Sequence, residues 1–132
     1  MQIREYQEWL EAWDRARGWD RIAVSHTLVH ALEELGEVAR LVLQWEGYKD
    51  AESPERLRAE LAEELSDVIT FLFKVAYQTG VDVESALVAG QVKADNRYQD
   101  LSQAAAELAR YHARQADVLA GMLGKGELIQ GG

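Results

Sequence analysis

Two short acidic motifs stand out in this chain because each places two carboxylates three residues apart. They occupy residues 34–37, with the sequence ELGE, and residues 64–67, with the sequence ELSD. Side chains three apart share one face of an α-helix, so each motif predicts a pair of carboxylates on one side of a helix. Both motifs lie in strongly apolar segments, which we expect to pack on each other and bring the four carboxylates together.

Four converging carboxylates in an apolar setting require a counter-charge. They repel one another, and burying them without a partner has a large free-energy cost. Because the motifs offer only oxygen ligands, the ion that fits is a hard divalent cation, Mg²⁺ or, as a possible substitute, Mn²⁺. The predicted metal ligands are Glu34, Glu37, Glu64 and Asp67.

A third segment follows the two acidic motifs in chain order. Residues 33–37 read EELGE, residues 63–67 read EELSD, and residues 93–98 read KADNRY. This ordered set resembles the MazG-like, all-α nucleoside triphosphate pyrophosphohydrolases, whose signature is ExxE, then ExxD, then a Lys/Asn/Arg segment. The resemblance covers roughly residues 19–98.

The resemblance implies a fold, an activity and an assembly. The fold would be a four-helix-bundle-like MazG-type fold, here with an additional C-terminal helix. The activity would be Mg²⁺-dependent cleavage of a (deoxy)nucleoside triphosphate to the monophosphate and pyrophosphate, which clears unwanted nucleotides from the cell. Within the family, the sequence most resembles dCTP pyrophosphatases and dimeric dUTPase-like members. The substrate would therefore be a pyrimidine nucleotide or a modified form. Family members complete their pockets across a homodimer or homotetramer.

The resemblance also implies a set of substrate-binding residues. Aromatic side chains would stack on the base, the Lys/Asn/Arg segment would face the phosphates, and one histidine would touch the substrate. Core packing is the alternative for each tryptophan, and a helix-end cation is the alternative for the arginine. The residues are Trp19, His26, Trp45, Phe71, Lys93, Asn96 and Arg97.

The catalytic step would need no protein nucleophile. Metal-bound phosphates could be attacked by a water whose proton passes to a carboxylate. The candidates for this base are Glu33, Glu34 and Glu37, and the sequence does not choose among them. A non-catalytic, metal-binding helical adaptor is the alternative function. A di-metal redox bundle is disfavoured because the chain lacks the Glu-x-x-His pattern.

Composition narrows the class of protein. The 132 residues predict one domain over residues 1–120 and a Gly-rich, flexible tail over residues 121–132. A net charge of −9 disfavours nucleic-acid binding, and the absence of cysteine excludes disulfides and thiol chemistry. The chain shows no signal-peptide core and no membrane span, so we expect a cytoplasmic protein.

Apolar residues recur at helical spacing and the chain has a single proline, so the sequence predicts an all-α protein. Helices are expected over residues 2–17, 25–46, 54–79, 82–98 and 101–120, with Gly18, Gly47 and Gly80 as stops. In the first helix, Trp9 and Trp13 are expected to be core residues. The second helix should bury one stripe, formed by Leu28, Leu32, Leu35, Ala39, Val42 and Leu43.

Overall fold

A computed structural model describes the backbone of residues 1–130 and the side chains of residues 1–125. Residues 1–130 contain helices and turns but no strand, which confirms the all-α prediction. Within that range, none of the helices combines the length and the apolar character that crossing a bilayer requires. The elements are α1 (Ile3–Arg15), a short 3₁₀ turn (Trp19–Arg21), α2 (Val24–Trp45), α3 (Pro54–Gln78), α4 (Val83–Arg97) and α5 (Leu101–Gln130).

Helix ends follow the local sequence signals closely. Gly47 and Gly80 adopt φ of 78° and 74°, a left-handed conformation that glycine takes without steric cost, and they follow α2 and α3 as predicted. Ser53 caps α3 by accepting a hydrogen bond from the Arg56 amide at 3.2 Å. Asp82 caps α4 through the Ser85 amide at 2.7 Å. Hydrogen bonds from Ser85 and from the Arg4 guanidinium lower the pKa of Asp82 to about 2.

The last helix is longer than the sequence predicts. α5 continues past Ala120 and through Gly121 and Gly124 to Gln130. Each glycine lowers helix stability by about 1 kcal/mol, but the Leu, Met and Lys residues between them favour a helix. The last two residues of the predicted tail, Gly131 and Gly132, lie outside the described residues.

The chain divides into two compact units, Met1–Val88 and Ala89–Gly132. The first unit holds α1, the 3₁₀ turn, α2, α3 and the start of α4. The second holds the rest of α4 and α5. The expectation of a single domain over residues 1–120 stays a prediction.

The first unit is organised around the pairing of α2 with α3, the most extensive helix contact in the protein. A short connection, residues 46–53, turns the chain back so that the two helices run antiparallel. Small and branched side chains fill the interface at helical spacing, and α1 adds Leu10 against it. The buried apolar side chains are Leu10, Ala31, Val38, Leu41, Leu57, Val68 and Ala76.

Two predictions about burial are wrong for the single chain. The stripe expected to be buried on α2 is exposed, with Leu32 58% and Leu35 50% accessible, because α3 covers the neighbouring face through Ala31, Val38 and Leu41. Apolar residues occupy more than one face of α2, and one neighbouring helix covers only one of them. The tryptophans of α1 are not core residues either. Trp9 is exposed and Trp13 is half-buried.

A buried charge pair ties α1 to α3. Asp14 is fully buried and accepts hydrogen bonds from Lys74 Nζ at 2.9 Å and from the Tyr77 hydroxyl at 2.5 Å. The Lys74 side chain is only 14% exposed. Burial and the hydrogen bond to Asp14 raise the pKa of the Tyr77 hydroxyl. The carboxylate therefore has both a cation and a second donor.

This pair makes a prediction about stability. Lys74→Met should lower the free energy of unfolding by about 3–5 kcal/mol, because it leaves the Asp14 carboxylate buried without its cation. The double variant Asp14→Leu/Lys74→Met should recover most of that loss. Urea unfolding of the two variants and the wild type measures both values. If Lys74→Met unfolds at the wild-type urea concentration, the pair does not stabilise the contact between α1 and α3.

Candidate metal and substrate site

Three of the four predicted metal ligands come together between α2 and α3. A carboxylate oxygen from each of Glu34, Glu64 and Asp67 lies within 4.8 Å of the other two. Glu34 and Glu64 are half-buried and Asp67 is exposed, so the group lies at the rim of the helix interface. The ELSD spacing places Glu64 and Asp67 on one face of α3, and the antiparallel pairing sets Glu34 opposite them.

The donor set fits a small, hard cation. Mg²⁺ binds oxygens at about 2.1 Å in an octahedron, so ligand oxygens on opposite sides of the ion are about 4 Å apart. Neighbouring oxygens of the octahedron are about 3 Å apart, so the three carboxylates, whose oxygens lie within 4.8 Å of one another, would draw closer around an ion. All three ligands are carboxylates, which suit Mg²⁺ and Mn²⁺ better than thiophilic metals.

The carboxylate group has an excess of negative charge, which is reflected in the pKa of Glu64. Partial burial raises the pKa of the Glu64 carboxyl, and the carboxylates of Glu34, Glu37 and Asp67 raise it further. A cation between these carboxylates would remove the repulsion that favours the protonated form.

Glu37, the fourth predicted ligand, is engaged elsewhere. Its Oε2 accepts a hydrogen bond of 2.9 Å from Arg40 Nε, and its side chain is half exposed. The ion pair raises the pKa of Arg40, and Glu60 and Glu64 contribute to that shift. Arg40 is thus the cation that the chain itself supplies at the edge of the carboxylate group. This role of Arg40 was not predicted from the sequence, although Arg40 follows Glu37 by one helical turn, a spacing at which ion pairs form.

Glu33, a predicted candidate for the catalytic base, lies outside the carboxylate group. One of its carboxylate oxygens is 3.2 Å from His30 Nδ1, and both side chains are more than half exposed. The His30 ring stacks on Phe71, with 5.4 Å between ring centroids and 21° between planes. The sequence did not predict His30 as a site residue. Its position one helical turn before Glu34 indicated that it would lie near the site.

An aromatic cluster borders the carboxylates on one side. We use this name for Trp13, Trp19, Phe71 and His30. The first three surround the ammonium group of Lys74, and His30 stacks on Phe71. The Lys74 nitrogen lies 5.4 Å from the Trp19 ring centroid and 5.6 Å from that of Phe71. Phe71 follows Asp67 by one helical turn, so this predicted base-stacking residue adjoins a candidate metal ligand. His26, another predicted substrate residue, is exposed in the first turn of α2.

Trp45 lies at the opposite end of α2 from Trp19. The helix has 22 residues, a length of about 33 Å, and Trp19 precedes its first turn while Trp45 is its last residue. The two tryptophans therefore cannot flank one base within a single chain. Trp45 instead lines a cavity of about 380 Å³ with Gln44, Pro54 and Leu57. A substrate-binding role for Trp45 stays a prediction.

The Lys/Asn/Arg segment belongs to the second unit. Lys93, Asn96 and Arg97 lie on the last turns of α4 and are all exposed. The Arg97 guanidinium lies 5.3 Å from the centroid of the Tyr98 ring. Their predicted contacts with substrate phosphates stay predictions.

A separate apolar groove of about 490 Å³ runs between the start of α1 and α3. Its walls include Ile3, Tyr6, Ile69 and Phe73. These positions lie on the side of α3 that faces away from Glu64, and the groove contains no carboxylate. We therefore regard it as part of the apolar surface of the first unit and not as the candidate metal site.

The raised pKa of Glu64 predicts how stability depends on pH without metal. The folded protein holds this proton more tightly than the unfolded chain does. The stabilisation is therefore complete below the unfolded pKa of about 4.3 and is lost as pH rises through the folded value. At pH 7 with a chelator, Glu64→Gln should melt above the wild type, and the difference should vanish below about pH 4. Melting curves from pH 3 to 8 measure this.

The matched control for that experiment is Glu63→Gln. It removes the same charge from the neighbouring residue, which is exposed and outside the carboxylate group. If both variants give the same melting difference at pH 7, the effect reflects net charge and the carboxylates at Glu64 do not repel one another.

Comparisons with known proteins identify one relative. No model of a known protein family matches the chain. The chain is similar to the uncharacterized protein YvdC of Bacillus subtilis (strain 168), with 32% identity over 104 residues. The match covers 75% of this chain and 98% of YvdC, so it extends over almost the whole of that protein. The chain therefore belongs to the same family as YvdC.

Proposed function

We propose that this protein is a Mg²⁺-dependent nucleoside triphosphate pyrophosphohydrolase that acts on pyrimidine nucleotides. The observation that carries the proposal is the group of three carboxylates, Glu34, Glu64 and Asp67, beside an aromatic cluster. Phosphate chains are commonly bound through carboxylate-held Mg²⁺, and bases are commonly bound by stacking on aromatic rings. The two features adjoin each other along α2 and α3.

The order of the motifs along the chain supports the same proposal. The ELGE motif, the ELSD motif and the KADNRY segment occur in the order that the MazG-like enzymes use. The antiparallel pairing of α2 and α3 supports the bundle that the resemblance implies, because it sets Glu34 of the first motif opposite Glu64 and Asp67 of the second. The proposed fold is therefore a MazG-type bundle with α5 as an added C-terminal helix.

Each residue of the site has a proposed task. Glu34, Glu64 and Asp67 would hold the cation, which would neutralise phosphate charge and lower the pKa of a bound water. Glu37 joins them when its side chain leaves Arg40. The proton of the attacking water passes to a carboxylate of the first motif, for which Glu33, Glu34 and Glu37 are the candidates.

The base would lie against the aromatic cluster. Phe71 offers a ring face one helical turn from Asp67, and the His30 ring extends that surface. Trp19 belongs to the same cluster through Lys74, whose nitrogen lies 5.4 Å from its ring centroid. Lys74 is held between these rings by Asp14, which keeps the wall of the pocket in one arrangement. Such a wall suits a flat ring, and stacking alone tolerates any base.

The exposed apolar stripe of α2 supports an oligomer. Leu28, Leu32 and Leu35 are each about half accessible, and Ile69 and Leu72 of α3 are similar. Contiguous apolar surface of this kind is typical of protein interfaces. We propose a homodimer or homotetramer, in which Trp45 of one copy can approach the site of another.

The activity is tested by incubating purified protein with a panel of (deoxy)nucleoside triphosphates and Mg²⁺ and detecting pyrophosphate. Wild type should release pyrophosphate and the monophosphate, most rapidly from pyrimidine substrates. Glu64→Gln and Asp67→Asn should reduce release to background, because each removes a metal ligand. The control Glu63→Gln should keep wild-type activity.

The other outcomes of the panel identify the rival functions. A helical adaptor would show a rise in melting temperature with Mg²⁺, lost in Glu64→Gln, but no product from any nucleotide. A phosphatase would release orthophosphate. Either result would refute the pyrophosphohydrolase.

Base stacking makes a second prediction for the same enzyme. Trp19→Ala and Phe71→Ala should each raise KM roughly 5- to 150-fold, with little change in kcat. This factor corresponds to a loss of about 1–3 kcal/mol of stacking free energy. Stacking acts in the ground state and in the transition state alike, so its loss appears in KM. Steady-state kinetics with the preferred triphosphate measures it.

Trp9→Ala is the matched control, because Trp9 is an exposed tryptophan on α1 outside the aromatic cluster. Urea unfolding of all three variants separates lost stacking from lost stability. Should Trp19→Ala and Phe71→Ala keep the wild-type KM below their melting temperatures, the aromatic cluster does not bind the base.

A further inference from the structure

The second unit contains a long helix with no buried side of its own. α5 has 30 residues, a length of about 45 Å. Every residue from Leu101 to Leu123 is exposed, including Leu108, Tyr111 and Val118. Most of the stability of a helix in water comes from packing an apolar face. Within its own unit, α5 thus presents an apolar face that the described part of α4 does not cover.

The pattern of that face is a coiled-coil heptad. Apolar residues recur at alternating steps of three and four, interrupted by a single polar residue, Gln115. This 3.5-residue period keeps one seam aligned along two helices that wind around each other. Reading Leu101 as an a position, the seam consists of Leu101, Ala104, Leu108, Tyr111, Gln115, Val118 and Met122.

We propose that α5 pairs with α5 of a second copy of this chain as an antiparallel coiled coil over residues 101–118. The proposal concerns an interface of the second unit and does not depend on the nucleotide activity. It differs from the apolar stripe of α2, which belongs to the first unit.

The charges beside the seam select the antiparallel register. Glu107 and Arg114 occupy successive g positions, and g positions face each other across an antiparallel pair. When Leu101 lies opposite Val118 of the second copy, Glu107 faces Arg114 of that copy, and the two-fold symmetry makes this contact twice. Sliding by one heptad in either direction sets Arg114 against Arg114 or Glu107 against Glu107.

The layers of the seam in this register are complementary in size. Leu108 meets Tyr111 of the second copy at the centre of the overlap. The polar Gln115 lies opposite Ala104, whose small side chain leaves room for it. A parallel pair would instead set Gln115 against Gln115 and would place Arg114 beside the apolar Leu119.

Disulfide cross-linking in the full-length protein tests the pairing, since the natural chain has no cysteine. Leu101→Cys and Val118→Cys variants expressed together should form a mixed cross-linked dimer under oxidising conditions. Neither variant alone should cross-link, because in the antiparallel pair each introduced cysteine is about 25 Å from its own counterpart. Electrophoresis without reductant, using chains of two tagged lengths, measures the products.

The matched control is the pair Ala106→Cys and Ala113→Cys. These residues lie opposite each other in the same register but on the outer side of the helices, so they should not cross-link. Cross-linking of Leu101→Cys with itself would indicate a parallel pair and overturn the proposal. Absence of any mixed cross-link would overturn it as well.

Charge reversal tests the register independently of the cysteines. Glu107→Arg or Arg114→Glu, introduced into the cysteine pair, should reduce the mixed cross-link about fivefold, and the double reversal should restore it. Arg110→Glu makes the same charge change at an outer c position and should leave the yield unchanged. Equal yields from all four variants would refute the contact between Glu107 and Arg114.

Discussion

The antiparallel packing of α2 on α3 is the constraint on which the rest of the first unit depends. Val38 and Leu41 from one helix and Leu57 and Val68 from the other exclude water from the interface. Once these side chains interlock, the relative position of the two helices is determined along their whole length. The same packing that sets Glu34 against Glu64 and Asp67 also sets His30 against Phe71 one turn away. A slip of one turn would separate both pairs.

The negative charge of Asp14 and that of the carboxylates between α2 and α3 are compensated differently. Asp14 has a cation within the chain, Lys74, and a hydroxyl donor, Tyr77, so its charge is satisfied in the folded protein. At the carboxylates between α2 and α3, Arg40 pairs with Glu37 at their edge, and among the described residues no ion pair reaches Glu34, Glu64 or Asp67. The chain therefore stabilises the first group by itself. For the second it leaves a deficit of positive charge, which is the physical basis for proposing a metal ion there.

The single chain also leaves apolar side chains exposed on two of its helices. Leu32 and Leu35 on α2 and Leu108 and Val118 on α5 remain accessible. On α2 this is because α3 covers only one of the apolar faces. In α2 the excess adjoins the carboxylate group, and an assembly there would also enclose the candidate site. In α5 the excess follows a 3.5-residue period with ordered flanking charges. The two surfaces thus differ in pattern, and we propose a different mode of association for each.

The sequence by itself determined the helices and most of their ends. Ser53, Pro54 and Gly80 act on their immediate neighbours, so local pattern was enough to bound α3. It also predicted the meeting of Glu34, Glu64 and Asp67, because spacing within each motif and a short connection between the helices left few other arrangements. Only the tertiary structure decided which face of each helix is covered. It exposed Leu32 and Leu35 and set His30 of α2 against Phe71 of α3. These outcomes depend on which side chains from distant segments compete for the same space and the same charge, and periodicity within one helix contains no information about that competition.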